Sequence, residues 1–256
     1  MLPLRTDAPT GTGPLTILLL LLLGIVFAYQ LTLDPFQAAR FIGDWALIPA
    51  TLWPSIKAGL PWDELVRLVS SAFLHGGWLH FLVNAWTLWI LGRTLEPTLG
   101  TIAFLGLYFG AAAASALTHV AVYPDDTVPV IGASGAIAGL LGAFMRLYPS
   151  AGVLLVVPIV VVPVWFRVPA VAYVGIWFAI QLLQGVAAVG HPLAGGGVAW
   201  WVHVGGAVAG YLAAGFLPRR LATAAPDGTR KTVSWRVGRW GEPGASGPWG
   251  PRDRGE

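Results

Sequence analysis

Long apolar runs alternate with short polar interruptions along this chain, and their spacing predicts six membrane crossings. Residues 15–33 ("LTILLLLLLGIVFAYQLTL") carry no charge and approach the ~20 residues that a helix needs to cross a bilayer. The run is too long for a signal-peptide core and lacks a small-x-small cleavage site, so it is read as a retained span. Further spans are read at 78–95, 101–121, 134–147, 169–190 and 198–217. Between the first two lies 34–77, where Asp34, Arg40, Asp44, Lys57, Asp63, Glu64 and Arg67 mix with aromatics and prolines. That mixture suits structure lying on the membrane rather than crossing it. The stretch "AGVLLVVPIVVVPVWF" (151–166) is apolar but short, and Pro158 and Pro163 interrupt it; it is read as a hydrophobic loop. Three regions result. They are a Pro/Gly/Thr-rich lead (1–14), a six-span domain (15–220), and a Gly/Pro/Arg/Trp-rich tail (221–256) without periodicity, expected to be disordered.

Composition agrees. The chain is 56% hydrophobic and 11% charged, against about 25% charged in soluble domains, and its mean hydropathy is +0.70. The fold class is therefore all-α, a polytopic membrane six-helix bundle. A net charge of +3, with basic residues in loops and tail, points to no nucleic-acid partner. No cysteine is present, which excludes disulfides, thiolate catalysis and Cys-based metal sites. In the six-span reading Arg5, Arg93, Arg146, Arg167, Arg219, Arg220, Arg230 and Lys231 fall on one side. Arg40, Lys57 and Arg67 fall on the other, all within one long loop. The positive-inside rule then places both termini in the cytoplasm.

That orientation makes spans two, four and six run in one direction, and each opens with a polar group. Span two opens with "HGGWLHFLVN", span four with Ser134, and span six with "VAWWVHVGGAVAG". At about 1.5 Å per residue, His80, Asn84, Ser134 and His203 lie at similar depth, where polar groups face a bundle interior or a wet cavity. A serine hydroxyl becomes nucleophilic when a base takes its proton, and His203 is the best-placed base. His80 and Asn84, four apart on one helix face, are candidate oxyanion donors. The Ser134 amide, at a helix start, is a third. Gly132 and Gly135 keep the surroundings of the serine open. Gly206 and Gly210 are read as close packing of span six against Gly135, Gly139 and Gly142 of span four. Each group alone has a plainer reading: Ser134 as a packing residue, His203 as a hydrogen-bonded interior histidine, Asn84 as an interhelical link. Their convergence favours the chemistry. His75 and His80 are five apart with no intervening Glu, which disfavours a metal site. His119 and His191 are read as interfacial, and Asp125 and Asp126 as solvated loop residues.

"HGGWLHFLVN", "GASG" and "HVGGAVAG", in this order and on these spans, resemble the rhomboid intramembrane serine proteases. The resemblance covers about 70–217 and includes "LWILGRTLE" and "VPAVAYVGIWFAIQLLQG". It implies a Ser134–His203 dyad, with His80 and Asn84 in the oxyanion site, and a six-helix bundle whose short fourth helix lies below a water-accessible cavity. It also implies single-pass membrane proteins as substrates, cut in or near their transmembrane segments, with the lipid bilayer as surroundings. No cofactor and no metal are implied, and the expected location is a bacterial inner membrane. Two departures stand out. The adjacent Trp-Arg pair often seen in the family's first loop has no counterpart here, so no role is carried over to Trp53 or Arg67. Ala138 stands where some members have a tyrosine stacked on the histidine, so His203 must be positioned by other contacts. The alternative is a catalytically silent relative that binds membrane-protein clients. A transporter is disfavoured, because the spans carry almost no ionisable groups besides histidine. The whole reading requires that 151–166 does not cross the membrane. A crossing there would invert span six and separate His203 from Ser134.

Overall fold

The apolar runs become helices at the expected places, and the short segments between them decide how those helices are directed. The computed structural model describes residues 2–59, 61–159, 162–189 and 199–220; the tail expected at 221–256, and His191, lie outside them. Helix α1 spans Pro14–Thr32. The long loop folds into α2 (Pro35–Trp45), α3 (Pro49–Ala58), α4 (Trp62–Ser70) and a 3-10 turn. Then follow α5 (Trp78–Leu99), α6 (Thr101–Val122), α7 (Ser134–Leu147), α8 (Ala170–Ala188) and α9 (Trp200–Ala213). Helices α1, α6 and α8 are each long and apolar enough to cross a membrane. The fold is that of an all-α membrane protein.

Helix starts and stops follow local chemistry. Asp34 caps α2 in a capping box with Gln37, satisfying amides that a helix start leaves free. Helix α1 begins at Pro14 after Gly13 and has no cap of its own. Its cap comes from across the bundle. The buried Glu96 carboxylate on α5 accepts from the Leu15 amide (3.0 Å), the Thr16 amide (2.8 Å) and the Thr16 hydroxyl (2.8 Å). A carboxylate at the positive end of a helix is favourable, and the contact fixes that end of α1 beside the end of α5. At the other end Phe27 stacks on Phe81, so α1 and α5 run antiparallel.

The segment 151–166 is a β-hairpin rather than a loop. Strands β2 (Gly152–Ile159) and β3 (Val162–Pro169) pair antiparallel from Gly152↔Pro169 to Ile159↔Val162. The lead contributes β1 (Leu2–Thr6), antiparallel to β2. The Val-rich sequence favours extended backbone. Pro158 lies beyond the reach of β1, whose pairing ends at Leu2↔Val156, and it faces Pro163 across the hairpin. Residues without an N–H are tolerated where a neighbouring strand is missing. The sheet is held against α5, where the Trp86 indole donates to the Pro3 carbonyl at 2.7 Å. Because a hairpin brings its two ends together, α8 starts where α7 stops. The segment returns instead of crossing.

Helix α7 is the centre of the bundle. Every residue from Gly135 to Phe144 is buried, as expected for a short apolar helix surrounded on all sides. Its contact with α9 depends on glycine. A Cβ at Gly206 would strike the Gly135 carbonyl, one at Gly210 the Gly139 carbonyl, and one at Gly142 the Ala207 carbonyl. The register rises together on both helices, so α7 and α9 are parallel and in backbone contact, as the GxxxG reading requires. Thr98 and Tyr148 share a 2.6 Å hydrogen bond at the far ends of α5 and α7, so α5 points the same way.

Candidate active site

Ser134 is the first residue of α7, and the loop that delivers it is tied to the first long loop. The Gly132 amide donates to the Ser71 carbonyl at 2.9 Å, and Leu47 and Val130 exchange backbone hydrogen bonds of 3.3 and 2.8 Å. Beneath them Leu47, Leu52 and Leu68 pack on Ala116 and Val120. The first long loop therefore holds the serine loop in place. Gly132 has φ +118°, a region that disfavours side chains, and a Cβ there would lie 2.6 Å from His80 Nε2.

Ser134, His203, His80 and Asn84 all line one cavity of about 900 Å³. The structure thus brings together all four site residues expected from the sequence. The first three are half-buried and Asn84 is buried. The Gly76 amide donates to His80 Nδ1 at 3.3 Å. An acceptor at Nδ1 leaves the ring proton on Nε2, the atom facing Gly132. Asn84 Nδ2 is buried and finds no acceptor among the described residues, and it lies 3.7 Å from the Cβ position at Gly132. Two side-chain donors therefore point at the backbone just before the serine. Ser134 lies in the first turn of α7, where amides have no intrahelical acceptor. The arrangement is suited to binding a negatively charged oxygen.

His203 lies in the first turn of α9, and its Nδ1 bonds the side-chain oxygen of Gln181 on α8 at 2.6 Å. Trp177 (5.9 Å between ring centroids) and Trp200 (6.4 Å) flank the imidazole. These contacts hold the histidine where a tyrosine at 138 is missing. Position 138 has another use, since a Cβ at Gly206 would lie 3.3 Å from the Ala138 Cβ; a small residue is needed at the α7–α9 contact. The sequence reading missed Gln181. Its signal was present, a polar amide at membrane depth, but Gln184 in the same helix gives the same signal. Only packing distinguishes the buried Gln181 from the exposed Gln184.

His119 sits at the end of α6, where it is 4% exposed, lines the same cavity, and lies 3.9 Å from Asp126. Asp126, in the loop that follows, lines the cavity as well. His75 is buried beside His80 with ring centroids 5.1 Å apart. Burial foremost, and then the His80 charge, push its imidazole from 6.5 down to about 4, against a smaller upward pull from the Phe73 carbonyl. Gln30 of α1 fixes this turn, bonding both the amide (3.0 Å) and the carbonyl (3.2 Å) of His75.

Comparison with known proteins gives one consistent answer. The family model described as "Rhomboid domain" matches residues 63–220. Rhomboid protein 1, mitochondrial, of Saccharomyces cerevisiae is 31% identical over 180 residues, 68% of this chain and 47% of that protein. Rhomboid-like protease 5 of Toxoplasma gondii is 34% identical over 156 residues, 59% of this chain and 16% of that protein. The putative rhomboid protease YdcA of Bacillus subtilis is 36% identical over 87 residues, 34% of this chain and 43% of that protein. The matched stretch spans less than half the length of each of these relatives.

Proposed function

We propose that this chain, which belongs to the rhomboid family, is an intramembrane serine endopeptidase that cuts membrane proteins in or near a transmembrane segment. The observation that carries the reading is the meeting of Ser134, His203, His80 and Asn84 on one cavity, with the Asn84 Nδ2 donor lacking an acceptor among the described residues. A buried donor without a partner costs about 1–3 kcal/mol. A carbonyl oxygen acquiring charge in the cavity recovers that cost.

Ser134 Oγ attacks the scissile carbonyl carbon as its proton passes to His203 Nε2. The oxyanion is held by His80 Nε2–H, Asn84 Nδ2–H and the Ser134 amide. His203 then returns the proton to the leaving amine as the C–N bond breaks. Water, deprotonated by the same imidazole, attacks the acyl-enzyme, and Ser134 leaves with a proton. Arg93, Arg146, Arg219 and Arg220 at the far ends of α5, α7 and α9 support a cytoplasmic placement of those ends, and a bacterial inner membrane is the proposed location. The cavity then opens on the opposite face, where water reaches it.

The test is labelling with a fluorophosphonate, paired with cleavage of a purified single-pass substrate. Wild type labels at Ser134 and cleaves. Ser134→Ala and His203→Ala each lose cleavage while keeping their thermal midpoints. Labelling that persists in Ser134→Ala, or turnover by either variant, overturns the dyad.

A further inference from the structure

We infer that Gln181 is the positioning residue of the catalytic histidine, holding His203 in the tautomer and orientation that let Nε2 accept the Ser134 proton. The inference rests on the dyad reading above. It concerns a residue on α8 that supplies from a neutral amide what a carboxylate supplies in a three-residue serine site.

The atom of Gln181 that meets His203 Nδ1, at 2.6 Å, is its amide oxygen, and an amide oxygen only accepts. With the amide oxygen as acceptor, Nδ1 carries the proton, and Nε2 is left with its lone pair. A neutral imidazole in water exchanges between both tautomers, and only one can act as base through Nε2. The bond at Nδ1 selects that one. His203 lines the cavity shared with Ser134, whereas Gln181, only 6% exposed, is not among the described residues lining it. The amide therefore stands behind the ring, on the side away from substrate.

The surroundings are built to bring these helices together. Gly185, one turn beyond Gln181, has no side chain, and a Cβ there would lie 3.3 Å from the Trp201 ring and 3.4 Å from the Trp200 Cβ. That gap seats the start of α9 against α8. Trp177, one turn before Gln181, flanks the imidazole at 5.9 Å. An orienter that stays neutral also suits the location. A carboxylate would need a charge partner at membrane depth, whereas an amide oxygen is satisfied by one N–H.

Two variants and one spectrum test this. Gln181→Leu keeps the volume and removes the acceptor. It should lower kcat by about 10², the lower end of what general-base catalysis contributes, with KM changed less than about twofold. Gln181→Glu restores an acceptor. It should recover most of kcat and move the acidic limb of the kcat/KM profile to higher pH, because a carboxylate at Nδ1 favours the imidazolium. Among the described residues, the other titratable groups lining that cavity are His80, His119, Tyr123 and Asp126; all are unchanged in both variants. In ¹⁵N-histidine spectra, assigned by difference against His203→Ala, wild type should show His203 protonated at Nδ1, and Gln181→Leu a mixture of tautomers. Wild-type kcat in Gln181→Leu overturns the inference. So does an equal loss in Leu and Glu variants with an unmoved pH limb, which would mark Gln181 as packing only. If instead wild type fails to label at Ser134, the dyad reading has failed, and the spectrum alone still reports whether Gln181 sets the tautomer.

Discussion

Replacing Gly132 with alanine should disable the oxyanion site without touching the nucleophile or the base. A Cβ at this position lies 2.6 Å from His80 Nε2 and 2.7 Å from Cε1, against an optimal separation of about 3.5 Å. The His80 ring must therefore retreat by roughly 1 Å, and a misplacement of that size costs about 10²-fold in rate, or about 2.7 kcal/mol of barrier. The φ of +118° adds about 1–3 kcal/mol of backbone strain, which falls on stability and is read separately as a lower thermal midpoint. A double-mutant cycle isolates the steric part. His80→Ala alone loses one donor and about 10²–10³ in kcat. Once the ring is absent, the nearest remaining neighbour among the described residues is Asn84 Nδ2, at an ordinary contact distance of 3.7 Å, so Gly132→Ala/His80→Ala should lie within about threefold of His80→Ala. Independent effects would instead multiply to about 10⁴–10⁵. The assay is kcat on a purified transmembrane substrate in detergent. Wild-type kcat in Gly132→Ala, or multiplicative losses in the double variant, refutes the placement of His80 over the serine loop.

Asn84→Ala should lower kcat by about 10²–10³ with KM nearly unchanged, because its Nδ2 donor acts on charge that exists only in the transition state; a raised KM at constant kcat is the contrary result. Glu96→Gln places a donor against the amides at the start of α1 and should cost about 1–3 kcal/mol of stability with kcat retained. An unchanged unfolding midpoint would show that Glu96 does not cap that helix. His75 binds a proton less readily in the folded protein than its ordinary 6.5, at about 4. Stability is therefore complete above pH 6.5 and falls as pH drops towards 4. His75→Gln should flatten that part of the midpoint–pH profile, and an unaltered slope would refute the assignment.

The sequence made the apolar helices and the candidate site legible for distinct reasons. The helices are legible because lipid demands long apolar runs with every backbone group paired inside the segment. The candidate site was legible because polar groups within apolar runs are costly and therefore rare, so His80, Asn84, Ser134 and His203 stand out against their neighbours. Glycine spacing in "GGAVAG" also carried through, because a parallel contact between α7 and α9 at backbone distance leaves no room for side chains at 206 and 210.

Three features waited for the tertiary structure. The hairpin at 152–169 has a third strand donated by residues 2–6, more than 140 positions away, and no local pattern announces a partner that distant. The cap of α1 comes from Glu96, 80 residues on, for the same reason. Gln181 and Gln184 are alike in one dimension, and only the packing of α8 on α9 decides which reaches His203. Periodicity and composition thus determined where the apolar helices form and which polar groups they carry. Long-range pairing decided which way each segment runs and which groups meet, because those are contacts between residues that the chain keeps far apart.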